Sequence, residues 1–454
     1  MQKIVAKQAL TSNGWEDNVE ISIVDGRISD VQTLPKDAAP TVGLALAAPL
    51  NLHSHAFQRA MSGLTEARGP DPRDSFWTWR RLMYKFLDQL TPDQIEAIAA
   101  QVFLEMLEAG YSSVAEFHYL HHDAGGAPYA NLAELSERIV AAAAEVGIGL
   151  TLLPVLYQFG GLDKRPLAGG QRRFGNDPDQ FARLHEEAAK AINAGPADFK
   201  IGVAPHSLRA VDRGGLDRAV SLAGNGPIHM HLAEQVAEVE EVQHSLDARP
   251  AEWLLDHHDV DPRWCLIHCT QMTAQETKGL AASGAVAGLC PITEANLGDG
   301  TFNGTEYLGH NGKIGFGSDS NVHISLFDEL KSLEYSQRLR DKSRAALASA
   351  DRSTGRVLFD AAATGGAQAG GRDSGILAPG MLADILAVDL DNEWGANRTG
   401  DMALDTLIFG GNGQRCISDV WSAGRHVVKE GRHIARAQIT RTFTATMAEL
   451  EQNI

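Results

Sequence analysis

The sequence predicts an α/β protein built as a (β/α)8 barrel of the TIM type, with a small β-sandwich domain formed by both chain ends. Short apolar runs alternate with longer helical patterns, and eight such runs can be counted, which is the number that closes a barrel. Both chain ends instead alternate strand-like runs with Gly-containing turns, such as Asp25-Gly26. We therefore expect residues 47–372 to form the barrel, and residues 1–46 and 373–454 to form the small domain.

The predicted barrel strands are mostly apolar, as strands covered on both faces by helices should be. They are Ala47–His53, Ser113–His118, Ile148–Tyr157, Phe199–His206, Pro227–His231, Cys265–His268, Ala285–Leu289 and Ile314–Asp319. One intervening helix is marked at both ends, since Thr91 suits the N-cap, Pro92 the first helical position and Gly110 the position after the last turn.

Composition excludes several classes of function. The formal charge of −18 disfavours binding to nucleic acid or to anionic membranes. The N-terminal MQKIVAKQAL lacks the apolar core of a signal peptide, and no apolar stretch is long enough to span a bilayer. The four cysteines form no CxxC pair and no dense framework, which is typical of thiols in a reducing compartment. We expect a cytoplasmic protein.

Histidines and one aspartate at strand ends predict a metal centre. His53 and His55, two residues apart at the end of a strand, point to the same side. His231 ends another predicted strand, and Asp319 ends a third as a carboxylate that packing alone does not explain. Three neutral imidazoles and one carboxylate suit zinc and leave room for a water. His229 is a less favoured ligand, because it lies deeper along its strand.

The motifs PLNLHSH, HLAEQ, LIHCT and GSDSN, with the ending GxxxPGMLADILAVD, resemble the amidohydrolase superfamily over essentially the whole chain. The resemblance implies a barrel of the amidohydrolase type with a split β-domain. Members with two metals carry a lysine at the end of the fourth strand, whereas Lys200 lies at the other end of that strand and His206 occupies the mouth. One Zn2+ per subunit is therefore expected, although Fe2+ or Mn2+ would fit the same ligands.

Within that superfamily, the pattern is similar to deaminases that attack an amidine-like carbon. Asp319 would ligate the metal and accept a proton from the attacking water, and Glu234 would protonate the departing nitrogen. His268 would orient the water and stabilise the tetrahedral adduct. The alternatives are a satisfied core histidine for His268 and a solvated acid at a helix start for Glu234.

The strings HSHAFQRAM, PHSLR and CPITEANLGDG closely resemble the formiminoglutamate deiminases, iminohydrolases of histidine degradation. That resemblance implies a small dicarboxylate substrate held by Gln58, Arg80, Tyr119, His206 and Arg209. Guanidinium groups match carboxylates, so Arg209 and Arg80 are the expected carboxylate partners, with Arg81 an open alternative to its neighbour. The loop around Arg80 is long, aromatic and Arg-containing, as a lid would be, and which loop closes over the substrate stays open.

Two other functions stay open. Another deaminase of the superfamily, acting on a nucleobase, nucleoside or triazine, would need stacking and amide contacts in place of an arginine pair. A non-catalytic relative would be expected to have lost metal ligands, and none is lost here. A homodimer is the default assembly, since two-fold oligomers are the commonest.

Overall fold

The structure is a computed structural model that describes residues 1–36, 38–64, 66, 83–84, 86–390, 395, 397–411 and 413–452. The N-terminal region contributes four strands to the small domain, namely β1 (Gln2–Thr11), β2 (Gly14–Val24), β3 (Arg27–Thr33) and β4 (Val42–Ala47). The turn between β2 and β3 has a positive φ at both Asp25 (48°) and Gly26 (78°). Such a turn matches the twist of paired strands, and it was predicted from the Asp-Gly pair.

The barrel strands follow in chain order. They are β5 (Leu50–Ser54), β6 (Ser113–His118), β7 (Gly149–Leu156), β8 (Lys200–Ile201), β9 (Ala204–Pro205), β10 (Ile228–Leu232), β11 (Trp264–His268), β12 (Val286–Leu289) and β13 (Lys313–Phe316). Adjacent strands are parallel, and β8 and β9 together occupy the fourth position beside β7. The predicted eight-position barrel is therefore confirmed.

Main-chain hydrogen bonds close the barrel at two junctions. At the first, the amide of His55 donates to the carbonyl of Asp319 at 2.9 Å, and the amide of Asp319 donates to the carbonyl of His53 at 2.9 Å. At the second, the amide of His229 donates to the carbonyl of Val203 at 3.0 Å. The first junction lies between β5 and the segment after β13, so it brings the ends of those two strands together.

Helices connect the strands on the outside of the barrel. They are α1 (Pro92–Glu108), α2 (Glu134–Val146), α3 (Pro178–Ala194), α4 (Arg213–Ala223), α5 (Val236–Leu246), α6 (Pro250–His257), α7 (Ala274–Ser283), α8 (Pro291–Leu297), α9 (Gly304–Gly309), α10 (Leu326–Asp341) and α11 (Thr354–Ala369), with 3-10 turns at Ala56–Met61 and Gly169–Arg173. The predicted start of α1 is confirmed, because Thr91 and Gln94 exchange side-chain and main-chain hydrogen bonds in a capping box.

The C-terminal region completes the small domain with β14 (Ile385–Val388), β15 (Ile417–Ser422), β16 (Arg425–Lys429) and β17 (Arg432–His433). The eight strands follow one hydrogen-bonded path, β17-β16-β15-β14-β4-β1-β2-β3, and they enclose an apolar core of their own. A β-domain built from both chain ends was predicted and is confirmed.

Two helices in this region, α12 (Asp401–Phe409) and α13 (Arg436–Glu451), were not predicted, and a 3-10 turn lies at Gly413–Cys416. Helix α13 packs on the barrel helix α1, where Thr440 donates to Gln101 at 3.1 Å. Among all the residues that the structure describes, none of the helices combines the length and apolarity that crossing a membrane requires.

Candidate active site

Four predicted residues meet at the carboxyl-terminal mouth of the barrel. His53 lies on β5, His55 directly follows β5, His231 lies on β10, and Asp319 lies three residues after β13. The Nε2 atoms of His53 and His231 are 3.1 Å apart. Asp319 Oδ1 lies 3.5 Å from Nε2 of His53 and 3.3 Å from Nε2 of His55. All four side chains are buried, so the structure brings together the group that the sequence placed at three separate strand ends.

Local backbone geometry explains how Asp319 reaches the histidines. Gly317 packs so closely against β5 that a Cβ there would lie 2.7 Å from the main-chain nitrogen and oxygen of His53. Asp319 itself has a φ of 46°, a left-handed conformation that costs energy for a residue other than glycine. His268 and Ala233, at two other strand ends, also have positive φ values of 72° and 51°. The backbone is therefore strained at three positions in the mouth, and two of these carry predicted site residues.

A buried polar network holds the Asp319 segment against β5. Asn51 donates to Ser318 Oγ at 2.6 Å and accepts from the Ser318 amide at 3.0 Å. Ser318 Oγ donates to Asn321 at 2.6 Å, and Asn321 donates to Ser54 Oγ at 3.1 Å. These four supporting residues were not predicted, because nothing in a local pattern pairs side chains more than 260 positions apart.

Two of the histidines have a fixed tautomer. His55 Nδ1 lies 3.0 Å from the carbonyl of Phe117, and His231 Nδ1 lies 3.2 Å from the carbonyl of His206. A carbonyl only accepts, so each Nδ1 carries the hydrogen and each Nε2 presents a lone pair toward the cluster. Burial lowers the pKa of His53, His55 and His231, which keeps these imidazoles neutral. Converging lone pairs and a carboxylate fit a divalent cation, and they would repel one another without it.

His268 and Glu234 lie beside this cluster. His268 Nδ1 is 3.2 Å from Glu294, and its Nε2 faces Glu234 at 4.0 Å and Asp319 Oδ2 at 3.8 Å. Burial alone would lower the pKa of His268, but the three carboxylates raise it to about 10. Burial raises the pKa of Glu234, which favours its protonated form. Glu294 was not predicted as a site residue, although its motif CPITEANLGDG was singled out.

A cavity opens onto these groups. Its wall holds four of the five predicted substrate residues, namely Gln58, Tyr119, His206 and Arg209. Gln58 donates to the Tyr119 hydroxyl at 2.8 Å, and His206 lies edge-on to the ring of Tyr157 at 4.6 Å. Further wall residues that the sequence analysis missed are Met83, Tyr84, Tyr157, Phe174, Thr293, Leu297 and Ser320.

Arg209 contributes a guanidinium group to this wall. Its Nε atom is buried and has no hydrogen-bond partner within the described part of the chain. Leaving a buried guanidinium nitrogen without a hydrogen-bond acceptor costs free energy, so the position suits an anionic ligand. The other predicted cation, Arg80, and the neighbouring Arg81 lie outside the described residues, as does most of the predicted lid.

The less favoured ligand His229 is separate from this site. It is fully buried within β10, and its Nε2 lies 2.8 Å from the carbonyl of Ala369. Lys200 is exposed at the start of β8, away from the mouth. Neither residue joins the cluster, in agreement with the positions expected from sequence.

Comparisons with known proteins agree with the fold. Residues 44–427 match the amidohydrolase family, and residues 1–41 match the family described as "Formimidoylglutamate deiminase HutF, N-terminal domain". The chain is 47% identical over 456 residues to the formimidoylglutamate deiminase of Pseudomonas aeruginosa, covering 99% of this chain and 100% of that protein.

Solved structures show the same architecture. An amidohydrolase from Brucella melitensis superposes with a TM-score of 0.95 at 50% identity, over 99% of this chain and 100% of that chain. An adenosine deaminase from Xanthomonas campestris, crystallised with bound zinc, shares the fold with a TM-score of 0.82 at 19% identity, over 99% and 98% of the two chains. With its relatives and its barrel mouth considered together, this chain belongs to the amidohydrolase family of hydrolases and, within it, to the family of the formimidoylglutamate deiminases.

Proposed function

We propose that the protein hydrolyses N-formimino-L-glutamate to N-formyl-L-glutamate and ammonia, a step of histidine degradation. One observation carries this choice of substrate: Arg209, whose buried Nε has no hydrogen-bond partner among the residues that the structure describes, lines the same cavity as His55, His231 and Asp319. A glutamyl carboxylate supplies the missing acceptor, and the formimino carbon then reaches the metal-binding cluster. The 47% identity to a formimidoylglutamate deiminase supports the same assignment.

We propose that His53, His55, His231 and Asp319 hold one Zn2+ per subunit. Their donor set, three neutral imidazoles and a carboxylate, is the one that zinc favours, and iron or manganese ions would fit it as well. When bound, the cation supplies Lewis acidity, which lowers the pKa of water to about 7. The inner carbonyls of Phe117 and His206 orient two of these imidazoles.

Two carboxyl groups and one imidazole then transfer protons or stabilise charge during the reaction. Asp319 accepts a proton from the attacking water, and His268, held by Glu294, orients that water and stabilises the developing negative charge. Glu234, whose pKa is raised by burial, donates a proton to the departing nitrogen so that it leaves as ammonia. One carbon–oxygen bond forms and one carbon–nitrogen bond breaks, without any redox change.

We propose that substrate binding is shared around the cavity wall. Arg209 takes one carboxylate, and His206, Gln58 and Tyr119 bind the remaining polar groups. Arg80 is assigned to the second carboxylate from the sequence alone, since it lies outside the described residues.

The substrate class, assembly, location and domain boundaries are proposed from the sequence. We propose a small dicarboxylate substrate, a homodimeric assembly, a cytoplasmic location, and domain boundaries after residues 46 and 372. The net charge of −18 supports the absence of nucleic-acid and membrane partners.

Ammonia release tests the substrate assignment. Zinc-loaded protein is incubated separately with N-formimino-L-glutamate, guanine, cytosine and S-adenosylhomocysteine, and ammonia is measured with time. We expect ammonia only from the formimino compound. Turnover of a nucleobase or nucleoside instead would favour the alternative deaminase, and no turnover of any compound by metal-loaded protein would favour a non-catalytic relative.

A further inference from the structure

We propose that His268, Cys290 and Asp319 form a second, weaker site for a soft divalent cation, and that filling this site inhibits the enzyme. One ligand atom from each of these residues lies within 4.8 Å of the other two, and all three residues are buried. The site rests on the proposed function in one respect, because Asp319 also serves the first cation.

The two oxygens of Asp319 face different partners. Oδ1 lies 3.3 Å and 3.5 Å from the Nε2 atoms of His55 and His53, whereas Oδ2 lies 3.8 Å from His268 Nε2. One carboxylate can therefore bridge two neighbouring cations, one on each side. The second cation would share no histidine with the first, since the first uses His53, His55 and His231.

Glu294 contacts both Cys290 and His268, the two ligands that the first cation does not use. Its Oε1 accepts a hydrogen bond from the Cys290 amide at 2.8 Å and lies 3.2 Å from His268 Nδ1. A hydrogen bond at Nδ1 leaves Nε2 as the metal-binding nitrogen of His268, which is the arrangement that supporting carboxylates create in metal sites. Zinc bonds of about 2.0–2.3 Å require the three ligand atoms, which lie within 4.8 Å of one another, to move closer together when the cation binds.

The ligand chemistry sets the cation class and the strength of binding. A thiolate, an imidazole and a carboxylate select zinc or cadmium over magnesium or calcium. Binding would release the thiol proton of Cys290 and any proton on His268 Nε2, so the second ion should bind less tightly than the first. Because that ion would occupy His268 Nε2 and Asp319 Oδ2, it would withdraw both groups from the attacking water. Excess zinc should therefore inhibit.

Cobalt titration tests the site without any substrate. Metal-free protein is titrated with Co2+ while the thiolate-to-cobalt charge-transfer band in the near ultraviolet is followed. We expect the first equivalent to bind without that band and a second equivalent to produce it. In the Cys290→Ala variant the first equivalent should still bind, but the band should be lost, and the zinc concentration that halves activity should rise by about tenfold or more.

Two further variants serve as controls for this titration. Cys265→Ala removes a neighbouring buried thiol outside the cluster and should keep both the band and the zinc inhibition. Cys290→Ser replaces Cys290→Ala if the latter does not fold. A single equivalent without a sulfur band, or unchanged zinc inhibition in a folded Cys290 variant, would overturn the second site alone. Binding of no cobalt at all would overturn the first metal site as well.

Discussion

Arg372 and Asp384 form a buried bidentate ion pair, with Nε donating to Oδ2 at 2.6 Å and Nη2 donating to Oδ1 at 3.0 Å. Arg372 also binds Asp198, which in turn accepts two hydrogen bonds from Arg425 at 2.7 and 2.8 Å. Asp198 precedes β8 of the barrel, whereas Asp384 and Arg425 belong to the small domain. These four side chains therefore join the two parts of the protein by charge rather than by apolar packing alone.

Replacing Arg372 should destabilise the protein severely. In Arg372→Met, the buried Asp384 carboxylate loses its ion-pair partner and Asp198 keeps only Arg425, so we expect a loss of about 3–5 kcal/mol in the free energy of unfolding. Urea unfolding followed by circular dichroism measures it. Arg263→Met is the matched control, because Arg263 pairs with Asp261 at the surface and should cost no more than about 1 kcal/mol. Equal losses in the two variants would contradict the role given to burial.

The same network should make stability sensitive to acid. Burial by itself raises the pKa of Asp198, but Arg425 and Arg372 outweigh it and hold that pKa below its ordinary value of 3.8. A carboxylate with a lowered folded pKa stabilises the protein above about pH 4 and loses that contribution as the pH falls through the folded value. Asp198→Asn should therefore be less stable than wild type at pH 7 and should lose less of its remaining stability on acidification.

Urea midpoints measured between about pH 7 and pH 3 test this expectation. Asp259→Asn, a change at an exposed acid, should follow the wild-type curve. Parallel curves for wild type and Asp198→Asn would show that Asp198 is not the responsible group.

Arg209→Ala should weaken substrate binding more than it slows the chemical step. The variant removes a charge-assisted hydrogen bond worth about 1.5–3 kcal/mol, so kcat/KM should fall roughly 10- to 100-fold, mainly through KM. Steady-state ammonia release with N-formimino-L-glutamate measures both constants. Arg213→Ala, at an exposed arginine four residues later, should leave them unchanged. An unaltered kcat/KM in Arg209→Ala would refute the carboxylate assignment.

His268→Ala should lower kcat while KM changes little. His268 faces Glu234 and Asp319 rather than the outer wall, so its loss should weaken stabilisation of the adduct. We expect kcat to fall about 10²- to 10³-fold. The exposed His244→Ala variant serves as the control. A rise in KM at constant kcat would instead make His268 a substrate-binding residue.

Removing the metal should abolish activity and lower the melting temperature. Chelated protein should regain both when zinc is added back, and at zinc concentrations about 100 times Kd the added stability should approach 2.7 kcal/mol. His53→Ala should show neither the activity nor the zinc-dependent rise in melting temperature. Full activity in protein that elemental analysis finds free of metal would remove the basis of the mechanism.

The local sequence pattern predicted the strands and helix ends that depend on residues close together in the chain. Strand β6 was predicted with the bounds that the structure has, and α1 starts after the predicted cap Thr91. The predicted strand Phe199–His206 was wrong as a continuous element. Strands β8 and β9 both pair with β7 in the same register, and the gap between them lies opposite Leu153 and Pro154. Pro154 has no amide hydrogen to donate to the ladder. The interruption therefore depends on a residue of the neighbouring strand and leaves no local signal.

The sequence by itself determined the fold class and predicted a set of candidate site residues, because strand periodicity places residues such as His53, His55 and Asp319 at strand ends. Only the tertiary structure decided how those residues meet. Three features depend on distances between separate chain segments: the contact of Glu294 with His268, the lack of a partner for Arg209 Nε among the described residues, and the Asn51–Ser318 contact. Such distances are set by how strands and helices pack, and a one-dimensional pattern does not contain them.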